Sequence, residues 1–256
     1  YVPQSGPSAA SDTWLPEFKE EQYETAREHF AHVAEMFSGA DVKLSHRIAE
    51  GHVGHSITEA AEAIDADLIV LGAKGHSAVN RILLGSVSDF VASEAKCSVV
   101  VVRPRLGESS ERIRVTLAYD NSTESDVALQ QFSTFEWGSS VDGHVLCVVP
   151  IIRTFRRDLI PDMVFERAKQ RDDAKVSADA AAKKLHAVAP NLSGEVIEAE
   201  HVGESIIDFT QQHQSNLIVV GEHQRSTLGR LMLGSVSRYV MHHAQCSVWI
   251  ARRKPT

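Results

Sequence analysis

The sequence predicts an α/β protein made of two tandem, doubly wound domains, each built on a parallel sheet. Two observations lead to this prediction. First, apolar segments of strand length alternate with helical segments along the chain, the pattern of a parallel sheet covered on both faces. Second, the chain repeats itself, because residues 52–103 and 201–252 share 22 identities over 52 ungapped positions. The period of 149 residues (201 minus 52) is the size of a domain and indicates a tandem duplication.

Composition excludes several other classes of protein. Of the 256 residues, 43% are hydrophobic and 23% are charged, which is typical of a globular chain and not of a disordered or fibrous one. No apolar run approaches the roughly 20 residues that a membrane-spanning helix needs, so we expect no membrane segment. The net charge of −8 disfavours nucleic acid as a partner. Three widely spaced cysteines indicate a reducing, cytoplasmic location.

The second repeat, residues 113–256, contains every element of such a domain. A helix capped by residues 121–124 should extend to Phe132, and Pro190 should stop a long helix. Strands are predicted at 115–119, 144–149, 194–200, 217–220 and 247–251, and further helices at 164–188, 205–213 and 235–243.

The first repeat, residues 1–104, has the later elements of the same domain and is followed by a polar linker at 105–112. Strands are predicted at 42–48, 68–71 and 98–102, and helices at 17–37, 57–64 and 86–95. The first of these helices should bury one face that carries Ala26, Phe30, Val33 and Phe37.

The counterpart of residues 114–148, a strand, a helix and most of a second strand, does not appear before Tyr1. Without that central strand, each unpaired backbone group in the sheet would cost about 1–3 kcal/mol. We therefore expect about 35 further residues (148 minus 114, plus one) ahead of Tyr1 in the natural protein, or a strand supplied by a partner chain.

A glycine motif with the spacing G-x2-G-x9-G-S lies between a predicted strand and a predicted helix of the first repeat. Gly72 ends the strand, and Gly75 allows a turn with positive φ without a Cβ penalty. Gly85 and Ser86 begin a helix whose free amides attract phosphate, an effect worth about 0.3–2 kcal/mol. Ligands of open α/β sheets bind at the carboxyl ends of strands, where this motif lies. The motif therefore predicts a nucleotide site.

Taken together, the tandem layout, the glycine motif and the strands that follow Cys97 and Cys246 resemble the universal stress protein family in its two-domain form. The resemblance implies Rossmann-like domains with the sheet order 3-2-1-4-5, the first of them lacking its first strand and helix. It also implies that the last strands, 98–102 and 247–251, pair within one chain or in self-association. The implied activity is regulatory binding of ATP, with Mg²⁺ as a possible companion, in a stress response, with slow hydrolysis at most.

The resemblance also implies which residues contact the nucleotide. In the first repeat these are Val2, Leu71, Gly72, Lys74, Gly75, Gly85, Ser86, Val87 and Ser88. In the second repeat they are Asp120, Val148, Val220, Gly221, His223, Gly234, Ser235, Val236 and Ser237.

The second repeat departs from the family pattern at two positions. Gln224 replaces the second glycine of the motif, and Asn121 stands where the family usually has glycine. A residue other than glycine at positive φ costs about 1–2 kcal/mol. We therefore expect the first repeat to be the better ATP site and the second to be weaker, altered or empty.

Other interpretations remain open at this stage. The chain could be a regulatory module that acts through protein contacts without nucleotide, or a sensory domain separated from a transporter. His242, His243 and Cys246 form the best candidate metal cluster, but their spacing crosses a helix end, and we expect no metal site. No carboxylate stands at an evident spacing for hydrolysis, and we expect no catalytic residues. Cys97 and Cys246 should be buried and inert.

Overall fold

The structure of the chain is a computed structural model that describes residues 15–73, 84–104, 112–151, 160–222 and 233–254. Residues 15–19 and 160–163 are described by their backbone alone. Two compact units are distinguished, Tyr1–Ala63 and Ile64–Thr256. Most of the linker predicted at 105–112 lies outside the described residues.

One seven-stranded sheet organises the unit Ile64–Thr256, with the strand order β1-β2-β7-β6-β3-β4-β5. Every neighbouring pair is parallel except β2 and β7. The strands are β1 (Leu68–Gly72), β2 (Ser98–Val102), β3 (Ile113–Ala118), β4 (Val141–Pro150), β5 (Asn191–Ala199), β6 (Leu217–Gly221) and β7 (Ser247–Ala251). The second repeat contributes β3 to β7, and their arrangement confirms the predicted order 3-2-1-4-5.

The two repeats join through an antiparallel pairing of β2 with β7. Val100 lies opposite Trp249, and these two residues occupy equivalent positions, 149 residues apart. On either side of it, Val99 pairs with Ile250 and Val101 with Val248, and the repeat shift of 149 residues exchanges these two pairs, because Val99 is equivalent to Val248 and Val101 to Ile250. The junction therefore has local twofold symmetry about the central pair. The predicted pairing of the last strands within one chain is confirmed.

Helices cover the sheet and follow the predicted order closely. The long helix begins four residues earlier than predicted, and the helix after β5 begins three residues earlier. The helices of this unit are α3 (Ser86–Glu94), α4 (Thr123–Phe132), α5 (Ile160–Leu185), α6 (Val202–Gln212) and α7 (Ser235–His243). A short 3₁₀ helix, Gly138–Ser140, precedes β4.

The core of this unit lies between the sheet and helices α4 and α5. Leu117 of β3, Phe132 of α4, Leu185 of α5 and Trp249 of β7 are 4% exposed or less and belong to one cluster of buried side chains. Phe132 stacks on Trp137 with 4.7 Å between the ring centroids. The inner strands β6 and β7 are largely buried on both faces, which explains why they read as continuous apolar runs in the sequence.

In the unit Tyr1–Ala63, the described residues form helices α1 (Leu15–Met36) and α2 (Val53–Ala63). The prediction of a strand at 42–48 is wrong, because residues 42–50 carry no regular secondary structure. No strand is described in this unit, and a single extended segment without a partner strand is not stable in water. Ala26 is buried as predicted, but Val33 and Phe37 are 40% and 45% exposed. None of the helices in the described ranges is long and apolar enough to cross a bilayer.

Gly143 of β4 provides a test of how closely two strand backbones approach each other. Its φ is +145°, and a Cβ built on it would overlap the backbone oxygen of Val115 on β3. We expect Gly143→Ala to lower the free energy of unfolding by about 3 kcal/mol, through overpacking and backbone strain together. Urea unfolding followed by circular dichroism measures the change.

The matched control is Gly138→Ala, because Gly138 has φ +60° and no atom lies within 4 Å of the point where a Cβ would be. This variant should lose only the backbone contribution, about 1 kcal/mol. Equal losses in the two variants would contradict the close approach of β3 and β4.

The three cysteines provide a second test. Burial raises the pKa of Cys147 to about 12 and that of Cys246 to about 11, and it raises the pKa of Cys97 as well. Since the thiolate is the reactive form, the folded protein at pH 8 should react with a thiol reagent only slowly, and reactivity should increase as the pH rises. In urea, where unfolding exposes them, all three thiols should react rapidly. Rapid labelling of the folded chain at pH 8 would contradict the assignment.

Candidate functional site

A pocket of about 260 Å³ opens at the carboxyl edge of the sheet in the second repeat. Its walls come from the ends of β3, β4 and β6, the first turns of α4 and α6, and the start of α7. The lining residues are Ala118, Tyr119, Asp120, Ser122, Glu124, Ser125, Leu146, Val148, Val202, Ile206, Val220, Gly221, Gly234, Ser235, Val236 and Ser237. We call it the second-repeat pocket.

This pocket brings together the residues predicted for the second repeat that fall in the described ranges. These residues are Asp120, Val148, Val220, Gly221, Gly234, Ser235, Val236 and Ser237. His223 was also predicted here, and it lies outside the described residues, as does Gln224.

The turn after β3 places Asp120 just before the amino end of helix α4. The backbone amide of Ser122 donates a hydrogen bond to Asp120 Oδ1 at 3.1 Å, and the Ser122 hydroxyl accepts one from the Ser125 amide at 3.2 Å. Asn121 between them has φ +60°. Asparagine adopts this left-handed conformation more readily than other residues with a side chain. The turn therefore forms without the glycine that the family usually has here.

Gly221, at the end of β6, allows α4 to approach the sheet. A Cβ on this residue would overlap the carbonyl of Glu124 and lie 2.9 Å from the amide nitrogen of Ser125. In the structure, the first turn of α4 already occupies the space that a side chain would fill.

The start of α7 faces the pocket. Gly234 is the N-cap residue and has no side chain, so no side-chain oxygen at this position accepts a hydrogen bond from the first amides of the helix. Ser235 is exposed. Ser237, by contrast, is 2% exposed and its hydroxyl donates to the carbonyl of Gly221 at 2.9 Å. This hydrogen bond fastens the helix to the strand, whereas the resemblance implied that Ser237 contacts the nucleotide.

Tyr119 forms an uncharged part of the pocket wall. Its hydroxyl donates to the carboxylate of Asp126 at 3.2 Å or to Asn121 Oδ1 at 3.0 Å. Burial, reinforced by Asp126, raises the pKa of Tyr119 to about 12. The phenol therefore stays protonated throughout the physiological range.

In the first repeat, the motif helix is fastened to the preceding strand by an equivalent hydrogen bond from serine to glycine. We call this contact the glycine-motif joint. Ser88 is 3% exposed and its hydroxyl donates to the carbonyl of Gly72 at 2.8 Å. The amide of Gly85 donates to the carbonyl of Ala73 at 2.7 Å, and Ser86 is exposed at the start of α3. Leu71 and Val87 are half-buried beside this joint. Val2, Lys74 and Gly75 were also predicted for this site and lie outside the described residues.

Sequence reasoning missed the wall that α6 contributes, and from β4 it predicted only Val148. Val202, Ile206 and Leu146 line the pocket, together with Tyr119. The signal was available, because a helix that follows the third strand of a parallel sheet must pack over the strands on one face. No group of three or more metal-ligating side chains occurs in the described ranges. His242 instead contacts Asp89 at 3.1 Å, and His243 stacks on Tyr239.

Comparisons with known proteins agree with this architecture. Two universal stress proteins of Mycobacterium tuberculosis are 26% identical over 196 residues (74% of this chain, 63% of theirs) and 28% identical over 227 residues (84% and 72%). A universal stress protein of Methanocaldococcus jannaschii is 40% identical over 80 residues, 31% of this chain and 47% of the relative. The first relatives are thus matched over 47 to 63% of their own length.

Solved structures show the same fold. A universal stress protein from Archaeoglobus fulgidus superposes with a TM-score of 0.64 at 22% identity, covering 96% of this chain and 84% of that one. A family model, described as the universal stress protein family, matches residues 1–103 and again 112–252. The two matches reproduce the internal repeat and together account for most of the sequence. The chain therefore belongs to the universal stress protein family.

Proposed function

We propose that the chain is a regulatory protein that binds an adenine nucleotide, and that the second-repeat pocket is one of its sites. The observation that carries the proposal is the pocket itself. It lies at the carboxyl edge of a parallel sheet, between the strand ends and the free amino end of a helix, where nucleotides bind in open α/β folds. Its volume of about 260 Å³ is close to the lower limit of small-molecule sites, about 300 Å³.

The two ends of the pocket suit the two ends of a nucleotide. The apolar end is formed by Leu146, Val148 and Ile206, which can cover the faces of a flat base. Asp120 borders this end, and its carboxylate can accept hydrogen bonds from ribose hydroxyls. The polar end is formed by the start of α7, where the first amides and the exposed Ser235 can donate to a phosphate.

The first repeat remains our candidate for the tighter site. It alone has both glycines of the G-x2-G motif, and its helix start at Gly85 and Ser86 matches the joint seen in the second repeat. In the second repeat, Gln224 occupies the position of the second glycine. A cost of about 1.4 kcal/mol there corresponds to tenfold weaker binding.

Two equivalent substitutions test the proposal. Gly85→Asp and Gly234→Asp each place a carboxylate at the amino end of a motif helix, where it should repel a phosphate. By titration calorimetry with Mg²⁺–ATP, we expect the wild-type chain to show two classes of site. Gly85→Asp should remove the tighter class, and Gly234→Asp should remove the weaker class.

The same titration can overturn each part of the proposal. Equal loss of binding in both variants would refute the difference between the repeats. Binding that Gly234→Asp leaves wholly unchanged would remove the second-repeat pocket as a site. Failure of the wild-type chain to bind any adenine nucleotide would favour a module that acts through protein contacts alone.

Tyr119 offers a pH test of the pocket wall. In the unfolded chain its pKa is near 10, and in the folded chain it is about 12. Below pH 10 both states hold the proton. Between about pH 10 and 12 the unfolded state loses it first, so the stabilisation from this group is lost as the pH rises. We expect Tyr119→Phe to flatten the fall in stability over that window.

Ultraviolet absorbance of ionised phenols measures the titration directly. One of the four tyrosines should ionise only near pH 12 in the folded protein, and this step should vanish in Tyr119→Phe. If the variant keeps the late step, the buried phenol has been assigned to the wrong residue.

A further inference from the structure

The arginines that follow the two junction strands contact helices of the opposite repeat. Arg103, after β2, donates through Nη2 to the carbonyl of Met241 at 2.6 Å and through Nη1 to the carbonyl of Cys246 at 3.3 Å. Arg252, after β7, donates through Nη1 to the carbonyl of Ala95 at 2.9 Å and through Nη2 to that of Ala92. Arg103 and Arg252 are 149 positions apart and are therefore repeat equivalents.

Three of these four contacts fall at the carboxyl ends of α3 and α7, the helices whose amino ends form the glycine-motif joints, and the fourth, to Cys246, falls between α7 and β7. Met241 lies in the last turn of α7, and Ala92 and Ala95 lie in and just after the last turn of α3. The last carbonyls of a helix have no partner within the helix and carry the negative end of its dipole, so a guanidinium satisfies both their hydrogen bonds and their charge.

Each arginine is held in position by the junction. The amide of Arg103 donates to the hydroxyl of Ser247 at 3.1 Å, and the amide of Arg252 donates to the hydroxyl of Ser98 at 2.9 Å. Arg103 and Arg252 are only 6% and 2% exposed. Burial of a guanidinium costs free energy unless its N–H groups are hydrogen-bonded. The backbone carbonyls that accept these hydrogen bonds therefore fix the position of both side chains.

Two anchors therefore set the orientation of each motif helix. For α7, the amino end is fastened by Ser237 to Gly221 within the second repeat, and the carboxyl end is fastened by Arg103 from the first repeat. With nine residues and a rise of 1.5 Å per residue, α7 is a rod of about 14 Å, so a shift at one end moves the other. The same description applies to α3, with Ser88 at one end and Arg252 at the other.

We propose that Arg103 and Arg252 are crossed positioning residues, each of which orients the nucleotide-binding helix of the other repeat. Arg103 of the first repeat thus sets the geometry of the second-repeat pocket, where Gly234 and Ser235 begin α7. This inference rests on the proposed function for its effect on affinity, whereas its effect on helix order is independent of any ligand.

The affinity test uses the full chain with Gly85→Asp, so that Mg²⁺–ATP reports on the second-repeat pocket alone. In that background, Arg103→Met should weaken binding about three- to tenfold, the range of coupling between positions that do not touch the ligand. Arg103→Lys, which can still donate to one carbonyl, should restore part of the affinity. The matched control is Arg253→Met, which removes the charge of an exposed arginine and should leave binding unchanged.

Hydrogen exchange of the ligand-free chain separates this inference from the proposed function. Arg103→Met should speed amide exchange in α7 and leave α3 as in the wild type. The carboxylate of Glu222 lies 2.7 Å from Nε of Arg252, and Arg252→Met alone would leave it as a buried, unpaired charge. The double variant Arg252→Met with Glu222→Gln avoids this and should speed exchange in α3 instead.

The crossed pattern decides the matter even if no nucleotide binds. Faster exchange in α3 and α7 alike in both variants would mean general destabilisation and would overturn the proposal. Unchanged exchange in α7 of Arg103→Met would overturn it as well. If each variant speeds exchange only in the helix of the opposite repeat, but the wild-type chain binds no ATP, the positioning role stands and the proposed nucleotide is wrong.

Discussion

The antiparallel pairing of β2 with β7 is the constraint on which the rest of the sheet depends. All other neighbours in the sheet are parallel and belong to a single repeat, so this pair alone joins the two halves among the described strands. Because the register is symmetric about Val100 and Trp249, each residue near the junction has an equivalent on the other strand that must fit the same kind of surroundings. Ser98 and Ser247, and after them Arg103 and Arg252, meet this requirement with identical residue types at equivalent positions.

The packing of three elements makes strict demands on the glycine motif. Gly221 lacks a side chain because the first turn of α4 lies against it, and the Ser237 hydroxyl is engaged by the Gly221 carbonyl. These two residues bring the end of β6, the start of α4 and the start of α7 to one point, and the pocket is the space that remains between them. The amides at the start of α7 face that space without a side-chain cap. The motif therefore builds the fold first, and the anion site that we propose uses the same geometry.

The sequence was sufficient for the elements whose pattern is local. Continuous apolar runs located β1, β2, β6 and β7 to within a residue, and the resemblance to the universal stress protein family implied the pairing of β2 with β7. It was insufficient where the outcome depends on a partner. The segment 42–48 alternates like a strand but has no described strand beside it in its unit, and so it stays irregular. The roles of Ser88 and Ser237 depend on a carbonyl 16 residues earlier in the chain, which no spacing rule reveals. In the sequence, Asn121 was only a departure from the glycine of the family pattern. Its φ of +60° explains why the turn accepts asparagine there.

The two repeats share their joints and differ in the charge next to them. Glu222 follows β6 where Ala73 follows β1, and its carboxylate lies 2.7 Å from Nε of Arg252 with both side chains almost fully buried. An unpaired carboxylate directly after Gly221 would oppose a phosphate at the start of α7. The contact with Arg252 neutralises that charge, and the same arginine still donates to the carbonyls of α3. Arg103 contacts the carbonyl of Met241 in α7 and that of Cys246 just before β7, with Ala73 at the position equivalent to Glu222. The two arginines are therefore equivalent in sequence but differ in their electrostatic interactions. Arg252 neutralises a carboxylate of its own repeat and also caps a helix of the other repeat, whereas the guanidinium of Arg103 donates to backbone carbonyls of the other repeat.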